Sequence, residues 1–212
     1  MPAAAPPRPP AQKKHLVAAE RDAAARAAWR AAAAGLAPLD LVFVDESSTH
    51  TALTRRRARA PRGERAAGAA PRNRGPNVTL LAALTPAGIG ASAVVEGATD
   101  GAVFAAYVEQ FLAPSLRPGQ VVVLDNLGAH KDERARAAVE GAGCRLLFLP
   151  AYSPDFSPIE PAFAKIKAAL RRREARTFDR LVVAIRDAID AVTATDARGF
   201  FAHCGFPLPD QE

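Results

Sequence analysis

Residues 121–150 read VVVLDNLGAHKDERARAAVEGAGCRLLFLP. Four consecutive apolar β-formers, Val121 to Leu124, end on Asp125 and Asn126, the composition of a strand buried on both faces that stops at a polar turn. From about Asp132 to Ala142 the chain is rich in Ala, Arg and Glu, which lose little on becoming helical, so a helix is predicted there. RLLFLP then supplies a second apolar run, closed by Pro150. Strand, helix and strand in that order make a parallel crossover, and the chain is expected to fold as an α/β domain.

Upstream, AVFAAYVEQFLAPSL carries apolar residues at helical spacing with Pro114 near its end, and predicts the helix that leads into Val121. Before it, VTLLAALTPAGIGASAVVEG holds two β-rich runs joined by Thr85, Pro86, Ala87 and Gly88, the pattern of an antiparallel hairpin. The first strand is LDLVFVDES, a run of β-formers that closes on acidic residues. Downstream, helices are expected from Pro158 to about Arg173 and from Thr177 to about Val192. Between the first strand and the hairpin, TRRRARAPRGERAAGAAPRNRG (residues 54–75) holds eight arginines among Pro and Gly. It reads as an exposed basic excursion with room for one short strand. Residues 1–11 form a Pro/Ala-rich tail expected to be disordered. Residues 12–38 read as a helical linker or lid, with its helix running from about Gln12 to Ala34 around Trp29 and ending at Gly35 and Pro38. Residues 39–212 form the main domain.

The length of 212 residues suits one domain of ordinary size. The hydrophobic fraction of 49% is largely alanine and the aromatic fraction is 6%, so the core must rest on Val, Leu, Ile and Phe. No apolar run approaches the roughly 20 residues that span a bilayer, and the N-terminus lacks a secretory signal, so a cytoplasmic location is expected. Cys144 and Cys204 are isolated, with no CxxC pair nearby, so neither a disulfide framework nor a cysteine zinc site is indicated and buried thiols are expected. A formal charge of +6, with arginine outnumbering lysine, suits a phosphate-rich partner. The same Ala, Arg and Pro richness also follows from codon bias, so the placement of the charge matters more than its sum.

Three carboxylates stand out by position. Asp45 and Asp125 each close an apolar strand, and Glu160 opens a helix; strand ends are where α/β folds place chemistry. If the two strands are parallel neighbours, a helix across their ends could bring all three together. Such a cluster is costly unless cations neutralise it, and oxygen ligands of this kind select Mg²⁺ or Mn²⁺. Blander readings exist for each residue. A lone Asp at a strand end is ordinarily a turn former or helix cap. Ser157-Pro158-Ile159-Glu160 has the form of a capping box, in which Glu160 would return a hydrogen bond to the Ser157 N–H. Glu46 is the adjacent alternative to Asp45, although in a regular strand it points to the opposite face.

The joint pattern decides between these readings. VDES, VLDNLGAHK and LPAYSPDFSPIEPAFAKIK resemble the three catalytic blocks of the mariner superfamily of transposases, in particular the bacterial insertion-sequence-630 branch. Thirty-four residues separate Asp125 from Glu160, the spacing of that superfamily's Asp-Asp-Glu site. The TRRRARAPRGER stretch and FFAHCGF resemble the same branch, so the likeness covers nearly everything from about residue 12 onward. The resemblance implies a ribonuclease-H-like fold, three antiparallel strands then two parallel strands flanked by helices, with residues 39–212 as the catalytic domain. Asp45, Asp125 and Glu160 would be the catalytic metal ligands for two Mg²⁺ or Mn²⁺ ions. The implied activity is metal-dependent cutting of DNA at the ends of a mobile element, then attack by the freed 3′-hydroxyl on target DNA. Asp155 falls at the wrong spacing and reads as part of the turn before the helix.

Asn126 and His130 follow the second Asp, where they could orient a ligand, contact phosphate or serve as turn and second-shell residues. Arg55, Arg56, Arg57, Arg59, Arg62, Arg65, Arg72 and Arg74 form a candidate backbone-binding surface, joined by Lys165, Lys167 and Arg171, with Arg172 and Arg173 beyond, on the Glu160 helix. The family usually carries helix-turn-helix units before the catalytic domain, and none fits ahead of Leu39. The chain therefore reads as the catalytic half, either truncated or encoded separately from its helix-turn-helix half, and the expected partners are DNA, such a separate half and a second copy in a homodimer, with action at the nucleoid. The alternatives are a residual DNA-binding module without activity and a nuclease on the same fold without strand transfer.

Overall fold

In the computed structural model, which describes residues 17–55 and 57–209, five strands form one mixed sheet in the order β3-β2-β1-β4-β5. β1 (Leu41–Thr49) pairs antiparallel with β2 (Val78–Thr85), which pairs antiparallel with β3 (Gly88–Glu96) through the tight turn at Pro86 and Ala87. On its other edge β1 runs parallel to β4 (Val121–Leu124), and β4 parallel to β5 (Arg145–Phe148). The helix α3 (Glu133–Gly141) makes the crossover between them, capped by the Asp132 carboxylate. This is the expected architecture. The proposed tail at residues 1–11 lies outside the described residues, as does Arg56.

Alternation along the strands divides the core into two layers. Leu41, Phe43, Val121 and Val123 face a layer with α4 (Ile159–Arg173), α5 (Phe178–Asp190) and α6 (Ala194–His203). Val42, Val44, Val122 and Leu124 face the other, with α2 (Gly101–Tyr107) and α3. Because β4 is covered on both sides, all four of its residues are buried and its sequence shows no alternation.

Four elements differ from expectation. The helix predicted over residues 102–116 is α-helical only through Tyr107, continuing as a π-turn at Val108–Leu112 and a tight 3₁₀ turn at Ala113–Ser115. Pro114 cannot donate a backbone hydrogen bond, so the regular ladder cannot run through it. α6 was not anticipated: only Ala197 and Phe201 are buried along it, so its apolar periodicity is faint. Its signal lies in the cap, where Thr193 and Asp196 exchange hydrogen bonds in a capping box. Residues 54–75 contain no strand among those described.

Of the helix expected from about Gln12, residues 12–16 lie outside the described residues and residues 17–22 are not helical. α1 (Ala23–Ala33) starts where Asp22 Oδ1 accepts the N–H groups of Ala24 and Ala25, at 2.8 and 3.0 Å. It packs into the first layer through Trp29, whose Nε1 donates to the Phe148 carbonyl at 3.0 Å and whose ring stacks on Phe156 at 5.4 Å. Arg26 and Arg30 lie 3.9 and 4.0 Å from the Phe156 ring centre. Arg30 also donates to the Cys204 carbonyl at 3.1 Å. That contact requires Gly205, with φ of 89°, because a β-carbon there would sit 2.1 Å from the guanidinium. Asp155 in the turn before α4 accepts from both Arg21 and Arg26.

Burial and charge therefore both hold α1, and their weights differ. Asp155 is half exposed, so Asp155→Asn is expected to cost about 1 kcal/mol or less. Trp29→Ala removes a buried ring and should cost about 3–5 kcal/mol. Urea unfolding of the two variants measures both, and a larger loss for Asp155→Asn would show that charge holds the helix.

Candidate active site

The register of β1 and β4 places the first two carboxylates. Leu41, Val42 and Phe43 pair with Val121, Val122 and Val123, so the same register two residues on sets Asp45 beside Asp125. Asp125 follows the last residue of β4, whereas Asp45, expected to close its strand, lies in the middle of β1, which runs on to Thr49 because β2 keeps pairing with it. Both continue the odd-numbered series that faces α4. Ile159, Ala162, Phe163 and Ile166 anchor that helix in the core, leaving Glu160 exposed in its first turn. Asp45, Asp125 and Glu160 line a single cleft of about 370 Å³, together with Asn126, Leu127, Tyr152 and Ser157.

Asp45 Oδ1 accepts the Glu46 N–H at 2.8 Å. Burial pushes the Asp45 carboxyl up to about 7; that hydrogen bond opposes the shift, and the charges of Asp125, Glu46 and Glu160 add to it. Asp125 Oδ1 accepts the Leu127 N–H at 3.1 Å, closing a local turn. His130 is buried beside Phe104, with Nδ1 2.5 Å from Asp125 Oδ1 and Nε2 2.8 Å from Glu46 Oε2. The Asp125 contact is short but poorly aligned for a hydrogen bond, so we treat it chiefly as an ion pair. Burial alone would lower the imidazole, but the two carboxylates outweigh it and raise it to about 10, which makes the ring cationic at neutral pH.

Glu46 therefore differs from Asp45 in what it does. It lies on the other face of β1, as strand alternation requires, and its carboxylate holds His130. Nothing in the sequence links residues 84 positions apart, so this pairing is visible only in the fold. The capping box at Ser157 is not formed. Ser157 has extended backbone (φ −108°, ψ 104°), but its carbonyl rather than its side chain accepts the Glu160 N–H, and α4 has no side-chain cap.

A groove continues from Glu160 past Glu46, Ser48, Lys167 and Arg171, and Arg171 is shared with a second hollow lined by His50, Thr54, Arg55 and Arg57. Glu160, Lys167 and Arg171 share a helix face because they are seven and then four residues apart. Lys165 is placed differently from expectation: it forms an ion pair with Asp196, which binds it into the cap of α6. Arg173 likewise pairs with Asp187, at 2.6 Å. Arg59, Arg62, Arg65, Arg72 and Arg74 are exposed on the excursion but line neither hollow. The excursion itself is tied down by Arg176, which donates to the carbonyls of Thr51, Leu53 and Ala69.

Among the described residues, no three His, Cys, Asp or Glu side chains stand close enough to enclose an ion. Mg²⁺ does not demand such a cage, since it keeps several waters and takes one or two carboxylates plus substrate phosphate. Two adjacent aspartates, one of them held partly protonated chiefly by burial and further by nearby carboxylates, fit that donor chemistry.

Asp45 gives a signed test. Because its folded value lies above the ordinary 3.8, its contribution to stability is fully present below that value and is lost as pH rises towards 7. Without divalent ions, Asp45→Asn should raise Tm more at pH 7 than at pH 5, the excess being about 2–4 °C, equivalent to roughly 1 kcal/mol. Thermal melts in chelator at the two pH values measure this; a gain of equal size at both would mean that the carboxylate is not under electrostatic strain.

The model of the family described as DDE superfamily endonuclease matches residues 40–182. No curated protein sequence matches the chain. Among solved structures, a pre-cleavage Mos1 transpososome aligns with TM-score 0.74 at 15% identity, over 92% of this chain and 64% of that one. A Mos1 mariner paired end complex with Mn gives 0.74 at 17% identity, with the same coverage. The isolated catalytic domain of Mos1 mariner transposase gives 0.62 at 14% identity, over 91% of this chain and 93% of that domain. The chain thus spans 64% of the length of the transposase chains in those two complexes. At such identities the likeness establishes the fold, a ribonuclease-H-like mixed sheet flanked by helices. With most of its length matched by the family model, the chain belongs to the DDE superfamily of endonucleases.

Proposed function

We propose that this chain is the catalytic domain of a transposase of the bacterial insertion-sequence-630 type, which cuts DNA at mobile-element ends and joins the 3′-hydroxyl to target DNA. The observation that carries the reading is the cleft itself: Asp45, Asp125 and Glu160 line one cavity in a DDE endonuclease fold. The Mn and Mg named for the Mos1 paired end complexes support a divalent cofactor here. Bound by Asp45, Asp125 and Glu160, two Mg²⁺ or Mn²⁺ ions would supply Lewis acidity and activate the attacking water or 3′-hydroxyl.

The chain's own groups do the rest. Cationic His130, backed by Glu46, holds the Asp125 carboxylate in place, and the Leu127 N–H fixes the oxygen that it shares. Asn126, in the same cleft, offers an amide to substrate phosphate or to a ligand carboxylate. Lys167, Arg171, Arg55 and Arg57 continue the groove as a positive track for the phosphate backbone, which positions DNA without reading its sequence. Paired-end cutting is assigned to a homodimer acting in the cytoplasm at the nucleoid. Among the described residues, no helix is long and apolar enough to cross a membrane.

Nicking of supercoiled plasmid in Mn²⁺ tests the chemistry. Asp125→Asn and Glu160→Gln should each reduce the rate at least about 100-fold, since a neutral amide binds the cation poorly. Glu160→Gln should alter the unfolding free energy by about 1 kcal/mol at most, because only charge near the helix N-terminus is lost. Full nicking by either folded variant would sink the assignment. For the track, Arg171→Ala should weaken duplex binding and reduce the slope of log K against log salt by about 1, whatever the duplex sequence. An unchanged slope would remove Arg171 from the path.

A further inference from the structure

The turn between β5 and α4 holds a residue for which the proposed chemistry has no use. Tyr152 has left-handed backbone, with φ of 55°, and is among the residues that line the carboxylate cleft. A bulky residue pays for that conformation, which Gly or Asn adopts more readily, and burial of the ring is the ordinary compensation. Here the residue is 56% exposed. The contrast with Tyr107 is direct: that ring is buried, and its hydroxyl donates to the Ala91 carbonyl at 2.9 Å. The turn carrying Tyr152 is nonetheless well supported. Ser153 beside it is buried with its hydroxyl donating to the Ala151 carbonyl at 3.2 Å, and Pro150 and Pro154 bracket the segment. Leu127, 49% exposed, adds a second uncovered apolar side chain to the same cleft.

A firm turn therefore displays an aromatic face beside three carboxylates and leaves it uncovered. We propose that Tyr152, with Leu127, forms a stacking site for an unpaired nucleobase next to the phosphate that is cut or joined. The proposal rests on the reading of the cleft as a site of phosphoryl transfer in DNA. A phosphate held at the carboxylates carries its sugar and base to the cleft wall, where the two exposed side chains stand. Within an intact duplex both faces of a base are covered by its neighbours, so the ring can reach only a base at a strand end, a nick or a frayed pair. Every base has a π-face, so the site tolerates sequence while selecting unpaired structure.

The test uses the whole chain and a hairpin duplex with a four-nucleotide single-stranded 3′ overhang, carrying 5-iodouracil at each overhang position in turn. Irradiation without divalent metal, followed by peptide mapping, should place the main adduct on Tyr152 from at least one position. In equilibrium binding, replacing the base at that position by an abasic site should cost the wild type at least about fivefold in affinity. Tyr152→Phe should keep this preference. Tyr152→Asn should lose it while Tm stays level or rises, because Asn suits the left-handed backbone. Adducts confined to peptides lacking both Tyr152 and Leu127, a base preference that survives Tyr152→Asn, or failure of the wild type to bind the probe would each overturn the proposal. Its fate is separable from that of the catalytic reading. Metal-dependent nicking with no base preference would refute the stacking site alone, and base preference in a chain that nicks no DNA would refute the catalytic reading alone.

Discussion

The parallel pairing of β1 with β4 is the constraint on which the site depends. Its register sets Asp45 beside Asp125, and a slip by one residue would turn one of the two carboxylates to the opposite layer. Apolar burial on both faces fixes that register, since Phe43 and Val123 belong to one layer and Val44 and Val122 to the other. The packing that stabilises the domain thus forces together two groups that repel each other. The Asp45 carboxyl is raised chiefly by burial, and the charge of Asp125 adds to the shift. Some of the repulsion is offset by His130, a buried cation between Glu46 and Asp125.

Elements whose burial is simple were legible in the sequence. The unbroken VVVL of β4, the hairpin with its turn at Pro86 and Ala87, and the long apolar stripe of α4 each declare a pattern that the core then uses. α6 did not, because two buried residues on a ten-residue helix make little periodicity. Asp125 and Glu160 were legible as strand-end and helix-start residues, whereas β1 runs four residues past Asp45, to Thr49, because β2 goes on pairing with it. Their partners were not, for two reasons. His130 meets Glu46 across 84 residues of chain, which no local pattern encodes. Lys165 looks like its neighbour Lys167 in sequence, yet the helix turns one towards Asp196 and the other into the groove. Ser157 shows the reverse error: the residue types of a capping box are present, but the hydrogen bonds are not.

Charge in this molecule is divided between structure and surface. Arg21, Arg26, Arg30 and Arg176 are spent on Asp155, the Phe156 ring and main-chain carbonyls, so they hold α1 and the basic excursion in place. Lys167, Arg171, Arg55 and Arg57 remain along the groove. The net charge alone could not have separated these two populations; only their partners do.

The seating of α1 also has a consequence for the order in which the chain assembles. Trp29 meets the Phe148 carbonyl 119 residues away, and Arg30 meets the Cys204 carbonyl 174 residues away. A segment made early on the ribosome thus has its docking surface made late. An eleven-residue helix is marginal on its own, so α1 has little to hold it until β5 and α6 have been synthesised. The sheet and its carboxyl-edge residues can form before that helix docks, and closure of these long contacts belongs to the end of folding, after translation of residue 204.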